Sequence, residues 1–347
     1  MINAEEVVRI AWSDYGDQRK IVDIVEVSAH VSTNHVFRLH FNDDSYVVGK
    51  VSSYGSYFLF AEDHDRLFKL VESLNSTRWS GFLAHVLQRN GRAYTWYDGT
   101  CWAAFYSDVE RGKQLPRIIT DDDITFLARE IASFHKACAQ ASSSLPPTSN
   151  SVKGDAIHLL EQLSNEFAPS NFDLRTSDIE YLRTSTHNFL AHLENIHFDE
   201  WKKIPILVDW NLGNFSVVND SQHGHRLFTR WDYDWFRIDT RMLDFYFLSR
   251  AASHTGDKTQ FSYSPHTLTE PRFVSFVKAY HEVYPLSVEE VKFLPSAYQF
   301  FILNYVIREG AKFFRSDLST RFRKDAVRTY LPMLDSLDIS ELIQIVQ

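Results

Sequence analysis

Between residues 21 and 51 apolar and polar positions alternate with a period of two. HVFRLHF (35–41) puts Phe37, Leu39 and Phe41 on one face and Arg38 and His40 on the other, the mark of a half-buried strand. IVDIVEV (21–27) and SYVVGKV (45–51) are β-rich in the same way. Asn42-Asp43-Asp44 is turn chemistry between the second and third runs, which predicts a hairpin. From Glu62 to Leu74 the period lengthens: Leu67, Leu70, Val71 and Leu74 follow the i, i+3, i+4, i+7 stripe of a helix. Asn90-Gly91 and Asp98-Gly99 mark further hairpins, because both central positions of a type I′ turn need positive φ. The predicted order is β-β-β-α-β-β.

Beyond residue 110 the helical period dominates. Thr120 can cap a helix running from Asp121 to Cys138, with Ile124, Leu127, Ala128, Ile131 and Phe134 on its buried face. AQASSSLPPTSN (139–150) reads as an exposed Ser/Pro linker between helices. Ser287 with Glu290 is a capping box that opens a helix toward Phe301. The change of period divides the chain into an expected β-rich lobe, residues 1–109, and a helical lobe, residues 110–347.

Composition narrows the class. A chain of 347 residues that is 44% hydrophobic and 23% charged is a folded globular protein with room for two lobes. The net charge of −9 argues against a nucleic acid partner, because phosphate neutralisation by basic side chains supplies most of that affinity. Two cysteines, Cys101 and Cys138, suit a reducing compartment and give neither a disulfide framework nor a four-ligand zinc site. Glu5 and Glu6 stand where a secretory signal would carry basic charge, and no run reaches the roughly 18 apolar residues of a membrane span. A cytoplasmic protein with no membrane partner is expected.

None of the 12 glycines forms Gly-x-Gly, which removes the dinucleotide fingerprint, and neither a Walker A loop nor a Gly-x-Ser-x-Gly elbow occurs. His187, His192 and His197 recur every five residues and so rotate off a common helix face, which argues against a metal site. His135 and Cys138 read as a polar neighbour and a small core residue. The informative stretch runs from Ile204 to Ser249. Asp209 and Asn214 follow an apolar strand, Phe215 to Val218 continues as a strand, and the chain turns back through Leu227 to Trp231. In an antiparallel hairpin that return brings Asp232 beside Asn214. The pair offers two oxygen ligands for Mg²⁺, a hard cation held by few protein groups together with substrate phosphates, and Asp209 is free to orient or deprotonate a hydroxyl.

This constellation resembles, over nearly the whole chain, the kinase-like phosphotransferases of the aminoglycoside phosphotransferase and choline kinase superfamily, which includes the type II homoserine kinases. In that family a catalytic-loop Asp is followed five residues later by Asn, and a second Asp follows a β-hairpin; Asp209, Asn214 and Asp232 match. Asp234 stands where many members carry another acid, as a metal ligand or a hydrogen-bond acceptor. Asp244 in MLDFYF matches the Asp that steadies the loop. VSTNHVFRL is similar to the phosphate loop, which gives Ser32, Thr33 and Asn34 to the nucleotide, and VVGKV supplies the strand lysine, Lys50. Glu62 matches the lysine's carboxylate partner, with Asp63 and Asp65 as close competitors. DGTCWAAFYSDVERG resembles the strand and hinge between lobes, and FLAREIASFHKAC the first large-lobe helix. Leu207-Val208 stands where most members have His-Gly, and His30-Val31 where the phosphate loop has glycine.

The resemblance implies a bilobal, protein kinase-like α+β fold with its active site in the cleft, and an enzyme that moves the γ-phosphoryl of ATP to a hydroxyl of a small molecule with Mg²⁺. Lys50 is then the ligand of the α- and β-phosphates, and its strand parity with Tyr46 and Val48 requires that face to look into the cleft. The rival reading is a catalytically silent, kinase-like module that binds nucleotide or a partner. For the acceptor, Trp210, Trp235 and Phe236 in an acidic chain suit a cation, while packing of the large-lobe core is the alternative role for these rings. Homoserine-like, amino-alcohol, sugar and aminoglycoside acceptors all stay open.

Overall fold

The computed structural model describes residues 3–28, 34–146, 148–220, 224–255 and 263–347. It opens with a helix that the strand pattern did not announce. In α1 (Ala4–Tyr15), Asn3 accepts the Glu6 N–H at the N-terminus and Gly16 ends the helix at φ 84°. Val7, Val8, Ala11 and Trp12 form its buried face, and Trp12 packs on Phe41 and Phe105 of the sheet. The three expected strands follow as β1 (Ile21–Glu26), β2 (His35–Phe41) and β3 (Tyr46–Ser52). Next come α2 (Tyr57–Leu74), a short hairpin of β4 (Gln88–Arg89) and β5 (Arg92–Ala93), then β6 (Thr95–Tyr97) and β7 (Trp102–Ser107). Five of these strands form an antiparallel sheet in the order β1-β2-β3-β7-β6. Gly49 suits the close packing of β3 on β7, since a Cβ there would sit 3.0 Å from the Phe105 ring.

Both turns form, by different means. Asn90 and Gly91 adopt φ 58° and 77°, as a type I′ hairpin needs. At Asp98-Gly99 only the glycine of the pair is left-handed, and the Asp98 carboxylate closes a wider loop by accepting the N–H groups of Thr100 and Cys101. Four strands therefore follow α2 where two were expected.

The helical lobe begins with α3 (Asp121–Ala141), capped by the Thr120–Asp123 box and burying all five residues of its predicted face. It continues through α4 (Val152–Leu163), α5 (Ala168–Phe172) and α6 (Thr176–Asn195) to β8 (Ile204–Ile206). The hairpin β9 (Phe215–Asp220) and β10 (Gly224–Arg230) follows, with one extra residue, Phe228, where the register shifts between Leu227 and Thr229. After it β11 (Arg237–Asp239) pairs with β8. Then come α7 (Phe245–Ala252), α8 (Pro271–Val283), which packs along α3, α9 (Val288–Lys292) and α10 (Leu294–Phe301). The Ser287–Glu290 box forms, but the helix it opens stops at Lys292: α10 is a new start with Pro295 in its first turn, where the missing N–H is harmless.

Two hydrophobic clusters hold the lobes. One lies between α1 and the sheet, and the other extends from α2 through the helices. Cys101 and Cys138 are buried and free. Among the described residues no helix is long and apolar enough to cross a membrane.

Candidate active site

Lys50 lies on β3 between Val36 of β2 and Ala104 of β7. Its face does look into the cleft: Val48 and Lys50 line a cavity of about 680 Å³ between the sheet and the helical lobe, and Tyr46 lies at the same parity beneath the Arg38 guanidinium. Lys50 is only 7% exposed, so its ammonium needs compensation. That comes from across the cleft: Nζ contacts the Asp234 carboxylate and lies 3.8 Å from Asp232 Oδ1. Burial pulls the ammonium below its ordinary pKa, against the pull of Asp232.

Glu62 is not the lysine's partner. Its carboxylate accepts from Arg66 at 3.0 Å and from the Ser149 hydroxyl at 2.8 Å, while Asp63 pairs with Arg66 and Asp65 with Arg92. The reason is helical phase. The apolar stripe of Leu67, Leu70, Val71 and Leu74, carried back one turn, falls on His64, which is buried more deeply here than any of the three acids. His64 gives Nδ1–H to the Phe60 carbonyl and accepts the Tyr106 hydroxyl at Nε2, 2.5 Å away. Burial, aided by the Lys50 charge and opposed by the Phe60 bond, pushes its pKa down to about 4, so the ring is neutral. Asn34 donates to Asp234 Oδ2 at 2.6 Å and lines the cavity. Ser32 and Thr33 lie outside the described residues.

On the opposite wall the chain leaves β8 through Leu207 and Val208. Val208 has φ 59°, a left-handed conformation that strains a β-branched side chain, and it occupies the position at which the family pattern has glycine. Its N–H donates to Asp244 Oδ1 at 2.7 Å. The other Asp244 oxygen accepts Trp210 Nε1–H at 2.6 Å and His135 Nε2–H at 2.8 Å, and His135 Nδ1 accepts the Tyr280 hydroxyl. Asp244, Trp210 and His135 are all 0% exposed, so His135 is an interior link rather than a polar neighbour of Cys138. Asp209 follows, accepting from the Asn211 amide at Oδ1 and from Asn214 Nδ2 at Oδ2, 2.9 Å away.

The hairpin register brings Asn214 and Asp232 together. Phe215 pairs with Arg230, and the Trp231 N–H donates to the Asn214 carbonyl, which leaves Asp232 as the next residue beside it. Asp232 is itself left-handed at φ 68°, and its Oδ1 accepts the Asp234 N–H. With Nδ2 of Asn214 committed to Asp209, the amide oxygen is the atom left to meet a cation. Asn214, Asp232 and Asp234 are hard oxygen donors of the kind Mg²⁺ prefers, and so they fit that ion. Among the described residues no three His, Cys, Asp or Glu side chains gather into a metal cluster, the three histidines of α6 and its C-terminus included.

Asn34, Lys50, Asp209, Asn214, Asp232 and Asp234 thus share one cavity, and Glu62 does not reach it. Of the three rings considered for an acceptor, Trp210 and Phe236 are core residues, 0% and 3% exposed, and Trp235 faces the cavity. Phe247, Tyr263 and Arg250 line the wall near it. Sequence reasoning missed Arg230, because a buried cation on a strand carries no periodic signal of its own, and His64, although it stands three residues before Leu67 on the helical stripe.

No protein-family model matches the chain, and no curated protein does. Solved structures match along its length. A microcompartment-associated aminopropanol kinase superposes with a TM-score of 0.64 at 15% identity, covering 98% of this chain and 99% of that one. An amicoumacin kinase in complex with AMP-PNP and Ca²⁺ gives 0.60 at 12%, over 95% and 97%. The GDP complex of wild-type aminoglycoside 2′-phosphotransferase-IIIa gives 0.58 at 14%, over 96% and 99%. At such identities the likeness is one of architecture, and on that basis the chain has the bilobal α+β fold of the aminoglycoside phosphotransferase-like kinases.

Proposed function

We propose that this protein is an ATP-dependent phosphotransferase whose acceptor is a hydroxyl group of a small molecule. One observation carries the reading: a lysine from the sheet and an Asp, Asn, Asp set from the catalytic loop and hairpin face the same cavity. Phosphoryl transfer asks for positioning and charge neutralisation, and these residues supply both. Lys50 holds the α- and β-phosphates, and Asn34, with Ser32 and Thr33, serves the phosphate loop. Asn214 and Asp232 hold Mg²⁺, with Asp234 beside them, and that ion, when bound, offsets charge on the phosphates. Asp209, its carboxylate fixed by Asn211 and Asn214, orients the acceptor hydroxyl and takes its proton. The aromatic wall at Trp235 with the Arg250 guanidinium moves weight away from a purely cationic acceptor.

The test is a screen of hydroxyl-bearing metabolites for ADP release from Mg²⁺-ATP, with Asp209→Asn as the blank. A positioned base contributes roughly 10²–10⁴-fold in rate, so the blank should lose turnover by that order while it binds ATP as wild type does. An acceptor phosphorylated equally well by Asp209→Asn would remove Asp209 from the mechanism. Binding of Mg²⁺-ATP with no turnover on any acceptor would favour the silent module.

A further inference from the structure

Arg230 is the last residue of β10 and is 0% exposed. A guanidinium in that setting is expensive unless something in the fold depends on it, because an apolar side chain of similar volume packs the same space at no electrostatic penalty. Its surroundings do not form an ordinary buried ion pair: among the described residues no carboxylate oxygen lies within ion-pair distance, and Nε and Nη1 have no hydrogen-bond partner. Nη2 instead donates to two main-chain carbonyls, that of Asp209 at 2.7 Å and that of Asp232 at 3.4 Å. The guanidinium lies over the Trp210 ring, 5.0 Å from its centroid. Burial lowers its pKa, and the Asp209 carboxylate is the largest influence in the other direction.

We infer that Arg230 is a positioning residue of the phosphoryl-transfer site, a buried clamp that ties the backbone of the proton acceptor, Asp209, to the backbone of the metal carboxylate, Asp232. The inference rests on the function proposed above and adds a residue that the family pattern does not assign. Both gripped segments carry left-handed, non-glycine backbone, Val208 at φ 59° and Asp232 at φ 68°. Such conformations persist only where the surroundings over-determine them. At Val208-Asp209 the two holds are visible: Asp244 takes the N–H at one end and Arg230 the carbonyl at the other. Leu207, buried and apolar, stands where a bracing histidine is usual, so the brace reaches the loop from the neighbouring hairpin instead.

The experiment compares wild type with Arg230→Met, which keeps length and apolar volume, and with Arg230→Lys, which keeps the charge but not the planar fork. ATP affinity is measured by calorimetry with Mg²⁺ and with EDTA, and hydrogen exchange is followed in peptides 207–214, 231–236 and 245–252. Arg230→Met should bind ATP in EDTA within about twofold of wild type. It should lose roughly 10–100-fold of the Mg²⁺-dependent gain, the range seen when an outer support of a metal site is removed. Exchange should rise in 207–214 and 231–236 and stay level in 245–252, and Arg230→Lys should fall between the two. An unchanged metal gain with unchanged exchange overturns the inference. So does an equal loss with and without metal accompanied by faster exchange in all three peptides, which is the signature of a general packing role. Should Arg230→Met fail to fold, Arg230→Lys is judged by the same two splits. A wild type with no Mg²⁺-dependent gain removes the proposed function itself, and this inference with it.

Discussion

On the helical side of the cleft, Asp209 sits in a loop whose backbone is gripped by Asp244 and Arg230, both fully buried, with Trp210 and His135 locked into the same network. On the sheet side, among the described residues, Lys50 has no such support from its own lobe: its α2 neighbour is a neutral histidine, and its carboxylates belong to the opposite wall. The contrast teaches where preorganisation is needed. A proton acceptor, the role proposed for Asp209, must be aimed within tenths of an ångström before substrate arrives, whereas a flexible ammonium, in the role proposed for Lys50, can be pulled into place by the phosphates.

The largest test of this contrast lies at the meeting of the two walls. Asp232→Ala removes the proposed metal ligand and one of the carboxylates near Lys50, and should weaken Mg²⁺-dependent ATP binding by roughly 10–100-fold. Calorimetry with and without metal reads this, and equal metal dependence in mutant and wild type would take Asp232 out of the ligand set. Next, Lys50→Ala should lower ATP affinity by about tenfold, the scale of one charge-assisted contact. Glu62→Gln should stay within about twofold, since Glu62 serves Arg66 and Ser149. A Glu62→Gln loss as large as that of Lys50→Ala would restore the family's lysine and glutamate pair.

A smaller effect separates the sheet side by pH. His64 titrates near 6.5 when unfolded and at about 4 when folded. Its folded pKa is depressed, so the stability it contributes is complete above pH 6.5 and is lost as pH falls toward 4. The slope approaches roughly 1 kcal/mol per pH unit within that window. Asp63 opposes it, because burial raises its carboxyl to about 7 and favours the protonated, folded form as pH falls. The His64→Gln difference from wild type isolates the histidine: its melting temperature should fall less steeply between pH 6.5 and 5. Parallel curves would mean that the ring takes up its proton at the same pH in the fold as in the unfolded chain. Smallest of all, Val208→Gly relieves a left-handed β-branched residue at the price of chain entropy, and should change stability by about +1 kcal/mol or less. A loss of more than about 1 kcal/mol would show that the valine side chain, not the clamp, shapes the loop.

These residues also mark what could be read from sequence. The convergence of Asn214 and Asp232 was legible because a strand, a turn and a strand fix antiparallel neighbours by counting alone. Lys50 was legible for the same reason, since parity decides which face of β3 it shares. Glu62 was misread because the match was made on residue type, whereas the stripe of Leu67, Leu70, Val71 and Leu74, carried back one turn, falls on His64. α1 escaped notice because its buried face is short and its flanks are polar. Val208 and Arg230 were out of reach in principle. A valine signals strand rather than a left-handed turn, and an arginine signals surface; both defy local preference because contacts from distant segments hold them.

The extra residue in β10 has a consequence for how the chain can vary. If the outer rungs of the hairpin ran on unshifted from the Leu227–Val217 pair, Thr229 rather than Arg230 would face Phe215, and Asp232 would lie one position farther past Asn214 than it does. At Phe228 the ladder is counted afresh, so the rungs near the cavity keep a frame of their own. An insertion or deletion on the turn side of that point can be taken up there without sliding Arg230 or Asp232. The same change on the cavity side has nowhere to go, and it moves Arg230 and Asp232 together.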